Sequence, residues 1–239
     1  MNGLRVKFIR GEEVKYISHL DLMKVFERAL RRARLPVAYS KGFNPHPEMV
    51  FGLPLSVGVT SEAEYADFGL EETIRPADFM RRLNSQLPAG LKVLDAKKKI
   101  TKDNIMASIT MASYRIMISA EEHREREFLQ EKLKEFIERP AIIVKKETKS
   151  KVRDVDIKPM IHQLCLGDSK EGIFTVNSLL SAGSSENLKP ELLYDAFADT
   201  FGHGIKLKAI HRTGLFVNRN GVMVDPMDDA VLEGMNPKR

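Results

Sequence analysis

The spacing of the apolar residues alternates between two periods along this chain, and the same succession occurs in both halves. Near the start, Leu4, Val6 and Phe8 occupy every second position, as in a strand with one buried face. After Ser18 the apolar residues recur three or four positions apart, as in an amphipathic helix, until Pro36 ends the pattern. The first half therefore has the order βαββαβ, with strands predicted around residues 4–9, 49–55, 64–70 and 91–94 and helices within 18–36 and 76–88.

The second half repeats this order with different residues. Its strands are predicted around 114–118, 141–144, 172–176 and 205–210, its helices around 120–138 and 190–201, and residues 155–161 as either a strand or a short turn. The sequence therefore predicts an α+β protein made of two tandem ferredoxin-like (βαββαβ) modules with antiparallel sheets.

The expected module boundaries follow from these segments. We place the first module at residues 1–98, the second at 112–226, and a connector at 99–111 between them. The pair Asn220-Gly221 lies between apolar flanks, which is a strong signal for a tight β-hairpin. Residues 227–239 are expected to form a C-terminal tail.

Cysteine content and hydropathy exclude several classes of protein. Cys165 is the single cysteine, so the chain alone builds no internal disulfide, no cysteine-held iron–sulfur cluster and no multi-cysteine zinc site. Because Leu164 and Leu166 flank it, we expect Cys165 to be buried as a small apolar residue. No apolar run approaches the roughly 18–20 residues that cross a bilayer. We expect a cytoplasmic protein with no membrane partner, no metal and no cofactor.

Basic residues concentrate in the first 47 positions, which hold ten Lys or Arg and four Asp or Glu. Four of these cations share one face of the first predicted helix, because their spacing is i, i+4, i+7 and i+8. One interpretation is a solvated helix face whose last arginines interact favourably with the helix dipole. The other is a surface that positions a phosphate backbone. The four residues are Lys24, Arg28, Arg31 and Arg32.

The loop at residues 39–47 is the strongest candidate for a binding site. It combines prolines and a glycine with aromatic, basic and hydrogen-bonding side chains, as functional loops on a rigid scaffold do. Tyr39 and Phe43 offer stacking surfaces, Lys41 a charge, and Asn44 and His46 polar groups for reading a base edge or another ligand. The alternative is a packed connection in which Phe43 fills the core and Asn44 caps a turn.

Two histidines raise the hypothesis of catalysis. His19 begins the first helix and His46 lies in the loop that follows it. If the two imidazoles converge near a basic groove, one can accept a proton from a 2′-hydroxyl and the other can donate one, without a metal. The alternative is a structural role for His19 at the helix start.

Several runs in the first half resemble the motifs of one protein family. They cover about residues 4–95 and comprise Tyr16-Ile17-Ser18-His19-Leu20-Asp21-Leu22-Met23, Phe26-Glu27-Arg28-Ala29-Leu30-Arg31-Arg32-Ala33, Leu35-Pro36, Ser40-Lys41-Gly42-Phe43-Asn44-Pro45-His46-Pro47 and Leu53-Pro54-Leu55, followed by Gly58, Ser61 and Glu64-Tyr65. On these residues the chain resembles the radical-SAM-linked protein family. That resemblance implies a cobalamin-binding-type radical SAM protein, encoded beside the chain or fused to it, as the partner, but it implies no activity.

These observations together favour recognition over catalysis. We expect a non-catalytic accessory protein of a radical SAM enzyme that binds RNA, such as tRNA, or another anionic substrate and presents it to the partner. One alternative is a histidine-dependent RNA-processing or RNA-modifying enzyme that uses His19 and His46 as catalytic residues. The other is a protein-interaction module whose 39–47 loop docks on the radical SAM chain.

Overall fold

The computed structural model describes residues 2–120, 126–147, 152–201 and 204–234. The fold is α+β, and its sheets are largely antiparallel. The chain divides into two units: the first comprises Met1–Thr110 and Gly214–Arg239, and the second comprises Met111–Thr213.

The first unit begins with two βα segments. In chain order its elements are β1 (Asn2–Arg10), α1 (His19–Arg32), β2 (Met49–Phe51), β3 (Thr60–Leu70), α2 (Pro76–Asn84), β4 (Leu91–Lys99) and α3 (Ile105–Ser108), with a 3-10 turn at Glu12–Val14. β1 lies between β3 and β4 and pairs antiparallel with both, and β2 pairs antiparallel with β3. The first six of these elements, from β1 to β4, have the βαββαβ order that the sequence predicts, and α3 lies in the expected connector.

The second unit contains a run of paired strands and a separate two-stranded sheet. Its elements are β5 (Ile109–Ala120), α4 (Arg126–Glu138), β6 (Ile143–Glu147), β7 (Val152–Asp156), β8 (Ile161–Lys170), β9 (Ile173–Ser181), α5 (Pro190–Thr200) and β10 (Ile205–Arg219), with a 3-10 turn at Lys158–Met160. β9 pairs antiparallel with both β5 and β8, while β6 and β7 pair only with each other in a two-stranded sheet. The predicted helix from residue 120 includes residues 121–125, which lie outside the described residues.

After β10 the chain continues in the first unit with β11 (Val222–Val224) and α6 (Asp229–Glu233). The hairpin predicted at Asn220-Gly221 is confirmed: Arg219 pairs with Val222, and both turn residues have positive φ, 53° and 85°. The boundaries of the units differ from those expected at 98 and 226. The sequence pattern of a hairpin is local, so it does not predict that this hairpin belongs to the first unit.

Aromatic side chains hold α1 against the sheet of the first unit. On β1, Leu4, Val6 and Phe8 are buried beneath the helix. Phe26 of α1 is fully buried, and its ring centroid lies 5.0 Å from that of Phe8 and 5.1 Å from that of Phe51. Burying side chains of this size stabilises the fold by about 1.5–3 kcal/mol each. The core thereby fixes the helix that carries the four basic residues.

Both ends of α1 are capped. Ser18 accepts a hydrogen bond from the backbone N–H of Asp21 at 3.1 Å, and its hydroxyl donates to the Asp21 carboxylate at 2.7 Å. The helix therefore begins directly after Ser18, where the helical spacing of the apolar residues also begins. At the other end, Arg82 of α2 donates to the carbonyl of Ala33 at 2.8 Å and also to that of Arg34, which has a φ of 50°. The helix therefore ends before Pro36, as predicted.

The prediction that Cys165 is buried is wrong, because its thiol side chain is exposed. Cys165 lies on β8, where neighbouring side chains point to opposite faces of the sheet. Leu164 takes the buried face, so Cys165 points outward. The apolar flanks Leu164 and Leu166 do not predict the exposure of Cys165, because in a strand the side chains next to a residue face the opposite side of the sheet.

Candidate functional site

Residues 39–47, called the tip loop below, are closed at their base by the backbone. Tyr39 and Pro47 form an antiparallel bridge. The Ser40 N–H donates to the carbonyl of His46 at 2.8 Å, and the His46 N–H donates back to the Ser40 hydroxyl at 3.0 Å. One residue further out, the Glu48 N–H donates to the carbonyl of Ala38 at 2.7 Å. The loop is therefore a braced hairpin-like structure.

The side chains at the far end of the tip loop face solvent. Phe43 is completely exposed, at 106% of its reference area, so it does not fill the core. The packed-connection alternative is therefore wrong for this residue. Gly42 has a φ of 151°, and a Cβ placed on it would meet nothing within 4 Å. Lys41, Asn44 and His46, near Phe43 in the chain, are exposed as well.

The basic face of α1 is exposed and partly paired with acids. Arg31 lies 3.1 Å from Glu27, and Lys24 lies 3.7 Å from Asp21. Exposed ion pairs of this kind contribute little to stability, so an anion in solution can compete for these cations. Arg28 is exposed, and within the described ranges no carboxylate lies within 4 Å of it. From Lys24 to Arg31 the face spans roughly 10 Å, at about 1.5 Å per residue.

Arg32 differs from the other three basic residues of α1. Its guanidinium donates to the carbonyl of Gln86 at 2.6 Å and to the Gln86 side chain at 3.2 Å. Arg82 reaches in the opposite direction, from α2 to the end of α1. Arg32 therefore ties α1 to the segment after α2, whereas Lys24 and Arg31 contact acids of their own helix and Arg28 is exposed.

His19 and His46 have different immediate surroundings. The half-buried ring of His19 packs edge-on against Phe51, with 5.8 Å between the centroids. His46 precedes Phe51 by five residues along a mostly extended segment, which spans roughly 16 Å. Burial lowers the pKa of His19 and Arg10 lowers it further, while Glu64 opposes the change. The two rings thus have separate neighbours, and catalysis by His19 and His46 stays a prediction.

A buried charge network lies on the face of the first sheet that is opposite α1. Arg5, 1% exposed, donates to both carboxylate oxygens of Asp67 at 2.6 and 2.9 Å and to the carbonyl of Pro226 at 3.0 Å. Lys99 lies 3.1 Å from the same carboxylate. Sequence reasoning missed this network. The available signal was Arg5, a charged residue that alternates with the apolar residues Leu4, Val6 and Phe8 of β1.

The segment after β11 covers this same face. Asp225 accepts a hydrogen bond from the Tyr65 hydroxyl at 2.8 Å and lies 3.3 Å from the ammonium of Lys7. Burial and the nearby Asp225 raise the pKa of Tyr65. Lys97 donates to Asp229 at 2.8 Å and to the Met227 carbonyl at 3.1 Å. This segment therefore occupies the sheet face and contacts its cations.

A cleft of about 440 Å³ lies beside the base of the tip loop. The network residues Asp67 and Lys99 line it, together with Pro47, Glu48 and the connector residues Thr101 to Asn104. Its walls carry both acidic and basic side chains, so their charge does not indicate one class of ligand.

Two further classes of site are absent from the described ranges. No group of three or more His, Cys, Asp or Glu side chains there is arranged to hold a metal ion. No helix in those ranges is both long enough and apolar enough to cross a bilayer.

The fold and this surface define an α+β protein with a basic helix face and a braced, exposed tip loop on its first unit. The chain belongs to the bacterial family described as "Uncharacterized protein conserved in bacteria (DUF2344)", whose model matches residues 3–190. That description mentions no radical SAM enzyme. Comparison with curated proteins gives no significant match.

Solved structures resemble this chain at low identity. A chain of the Cbf5-Nop10-Gar1 complex is 11% identical with a TM-score of 0.52, and the match covers 90% of this chain and 48% of that one. Chains of the archaeal box H/ACA sRNP Nop10-Cbf5 complex and of an H/ACA RNP bound to a substrate RNA containing 2′-deoxyuridine both have a TM-score of 0.45. They are 9% and 12% identical, and their matches cover 88% and 89% of this chain and 46% of each of theirs. This chain thus spans less than half of each, and the first likeness concerns the fold alone.

Proposed function

We propose that this chain is a non-catalytic accessory protein that binds RNA, tRNA included, through the basic face of α1 and the tip loop, and presents it to a radical SAM enzyme. The observation that carries the proposal is the tip loop. A braced backbone there holds a fully exposed Phe43 beside Lys41, Asn44 and His46. The partner rests on the family resemblance of the motifs that contain these same residues.

The chemistry of this surface suits RNA. Guanidinium and ammonium groups contact phosphates and position the backbone, whereas aromatic rings and amides contact the bases. Lys24, Arg28 and Arg31 supply the first kind of group, and Phe43 and Asn44 supply the second. The proposal includes two tandem ferredoxin-like modules, which the β4-β1-β3 order with β2 on β3 supports for the first unit.

The segment that covers the opposite sheet face favours the helix side as the binding surface. Four cations on that face, Arg5, Lys7, Lys97 and Lys99, already contact Asp67, Asp225 or Asp229. An RNA would have to displace these carboxylates. The basic residues of α1 require no such rearrangement.

Binding of tRNA and of a single-stranded oligonucleotide across a salt series tests the proposal. The double variant Arg28→Glu/Arg31→Glu removes two phosphate contacts, so we expect at least tenfold weaker binding and a slope of log K against log salt that is smaller by about 1.5–2. The matched control is Arg75→Glu/Arg81→Glu, at the cap of α2 and within it, where both arginines are also exposed. Unchanged binding by the first variant, or an equal loss in the control, contradicts the proposal.

A second candidate is a protein-docking module, favoured by apolar side chains exposed around the start of α1. Tyr16 is 73% exposed and Leu20 67%, and the Gly58 N–H holds this segment by donating to the carbonyl of Lys15 at 2.8 Å. Co-purification with the radical SAM protein separates the two functions. Loss of the partner in Tyr16→Ser/Leu20→Ser, with RNA affinity unchanged, supports docking at this patch.

A further inference from the structure

We infer that the tip loop is a stacking platform for an unpaired base, so that the RNA recognised by this chain is single-stranded or carries an unpaired loop. This inference rests on the proposed function and specifies its substrate class. It starts from Phe43, whose ring is completely exposed, while other phenylalanines of the first unit, such as Phe8, Phe26 and Phe68, are buried.

The loop presents this ring in a preorganised conformation. The Tyr39–Pro47 bridge and the two hydrogen bonds between Ser40 and His46 fix the base of the loop. At the tip, Gly42 adopts a φ of 151°, which side-chain-bearing residues rarely adopt. Because the loop is braced before a ligand arrives, binding a base to the ring costs little conformational entropy.

The surroundings of Phe43 favour a nucleotide over a protein partner. Energetically dominant aromatic residues in protein interfaces lie within packed apolar surroundings that exclude water. Phe43 instead has exposed Lys41, Gly42, Asn44 and Pro45 on either side in the chain. A cation and an amide beside a free ring provide contacts for a phosphate and a base edge around a stacked base.

Stacking on Phe43 requires a base with a free face. In a duplex the neighbouring base pairs cover both faces of each internal base, so the ring gains contact only if the helix opens. An unpaired base in a single strand or a loop offers its face without that cost. Phosphates are present in both paired and unpaired RNA, so the contacts from α1 do not distinguish the two. We therefore expect Phe43 to provide the preference for unpaired RNA.

The test compares three RNAs of matched sequence: a single strand, a hairpin with an unpaired loop, and a blunt duplex. Base–aromatic stacking contributes about 1–3 kcal/mol per base, equivalent to about 5- to 150-fold in affinity. We expect Phe43→Ala and Phe43→Leu to weaken binding of the single strand and the hairpin by at least fivefold, to leave duplex binding unchanged, and to reduce the quenching of a 2-aminopurine base in the single strand. Phe43→Tyr is expected to retain wild-type binding.

The outcomes separate this inference from the proposed function. If Phe43→Ala binds all three RNAs like the wild type while Arg28→Glu/Arg31→Glu is impaired, the chain binds RNA but Phe43 is not a stacking platform. Equal losses on the single strand and the duplex likewise overturn the inference. If the wild type binds none of the RNAs at low salt, both proposals fail. If Phe43→Ala loses the radical SAM partner and no RNA affinity, the loop docks on protein.

Discussion

Asp67 is the acidic centre of the buried charge network of the first unit. Its buried carboxylate neutralises Arg5, which is 1% exposed, and also contacts Lys99. Asp67→Asn removes the negative charge and leaves two cations with no carboxylate between them. Because breaking a buried ion pair on one side costs about 3–5 kcal/mol, we expect a loss of that size in the free energy of unfolding, measured by urea denaturation.

Asp78 provides the matched control for Asp67. It also pairs with two cations, Arg75 at 2.7 Å and Arg81 at 3.2 Å, but both arginines are exposed. Those hydrogen bonds lower the pKa of Asp78, yet solvent screens the charges. Asp78→Asn should leave stability nearly unchanged. Equal effects of the two substitutions would contradict the importance of burial.

His19 predicts a pH dependence of stability. Burial and Arg10 lower its pKa in the folded protein below the ordinary value of 6.5. The unfolded chain therefore binds a proton at a higher pH than the folded protein does, so stability is complete above about pH 6.5 and decreases as the pH falls below it. His19→Gln should reduce the difference in unfolding free energy between pH 7.5 and pH 5.0. An unaltered difference would show that His19 titrates normally.

In the candidate site, the exposure of the tip loop is predictable from its own residues, whereas contacts between distant residues are not. The composition of the tip loop predicts an exposed functional loop, and Phe43 is indeed exposed. Convergence of His19 and His46 is a long-range property that the spacing of residues does not encode. The contacts of Arg32 with Gln86, 54 residues away, are equally inaccessible from the pattern of the helix.

At the scale of elements, local chemistry accounts for the successful predictions. Ser18 and Asp21 cap α1 through atoms three residues apart, and the Asn220-Gly221 turn joins adjacent strands. The pairing of β6 with β7 is harder to predict. The sequence of residues 155–161 is compatible with a strand or a turn, and it does not identify the pairing strand. In the structure β7 ends at Asp156 and a 3-10 turn follows.

Two glycines of the first unit allow crowding to be separated from backbone strain. Gly90 and Gly221 have nearly the same φ, 83° and 85°, but only Gly90 is crowded. A Cβ on Gly90 would lie 3.1 Å from the Cβ of Glu13 and 3.2 Å from a methyl group of Val14, whereas one on Gly221 meets nothing within 4 Å. The left-handed conformation alone costs an alanine about 1–2 kcal/mol.

We therefore expect Gly221→Ala to lose about that amount of unfolding free energy and Gly90→Ala to lose distinctly more. Parallel denaturation curves of the two variants measure the difference, which is the cost of crowding at the segment before α1. Equal losses would mean that Glu13 and Val14 move aside freely.

At the scale of the whole molecule, the end of the described chain is the part that sequence reasoning placed least well. Residues from 227 were expected to form a tail, but the structure packs α6 into the first unit, where Leu232 is 2% exposed. Its carbonyl accepts hydrogen bonds from the N–H groups of Ile100 and Thr101 at 3.0 and 2.9 Å. Lys7 meets Asp225 across 218 positions of sequence, a separation that no local pattern bridges.

Ending the chain after Val224 tests how much this segment contributes. The truncation removes the carboxylates that contact Lys7 and Lys97, the carbonyl that Arg5 contacts, and the buried side chains of Val231 and Leu232. Burial of those two side chains alone is equivalent to about 3–6 kcal/mol. We expect at least that loss of stability in the first unit, with faster amide hydrogen exchange in β1 and β4.

Ending the chain after Gly234 is the control, because it keeps every one of these contacts and should leave exchange in β1 and β4 unchanged. If both truncations behave like the full chain, the segment merely rests on the sheet, and the face with Arg5, Lys7, Lys97 and Lys99 becomes available to a ligand. That result would also undermine the assignment of RNA binding to the helix side, since the larger truncation would then expose a second basic surface. Measuring RNA affinity on the same two proteins decides between these cases: a binding surface on α1 and the tip loop predicts equal affinities.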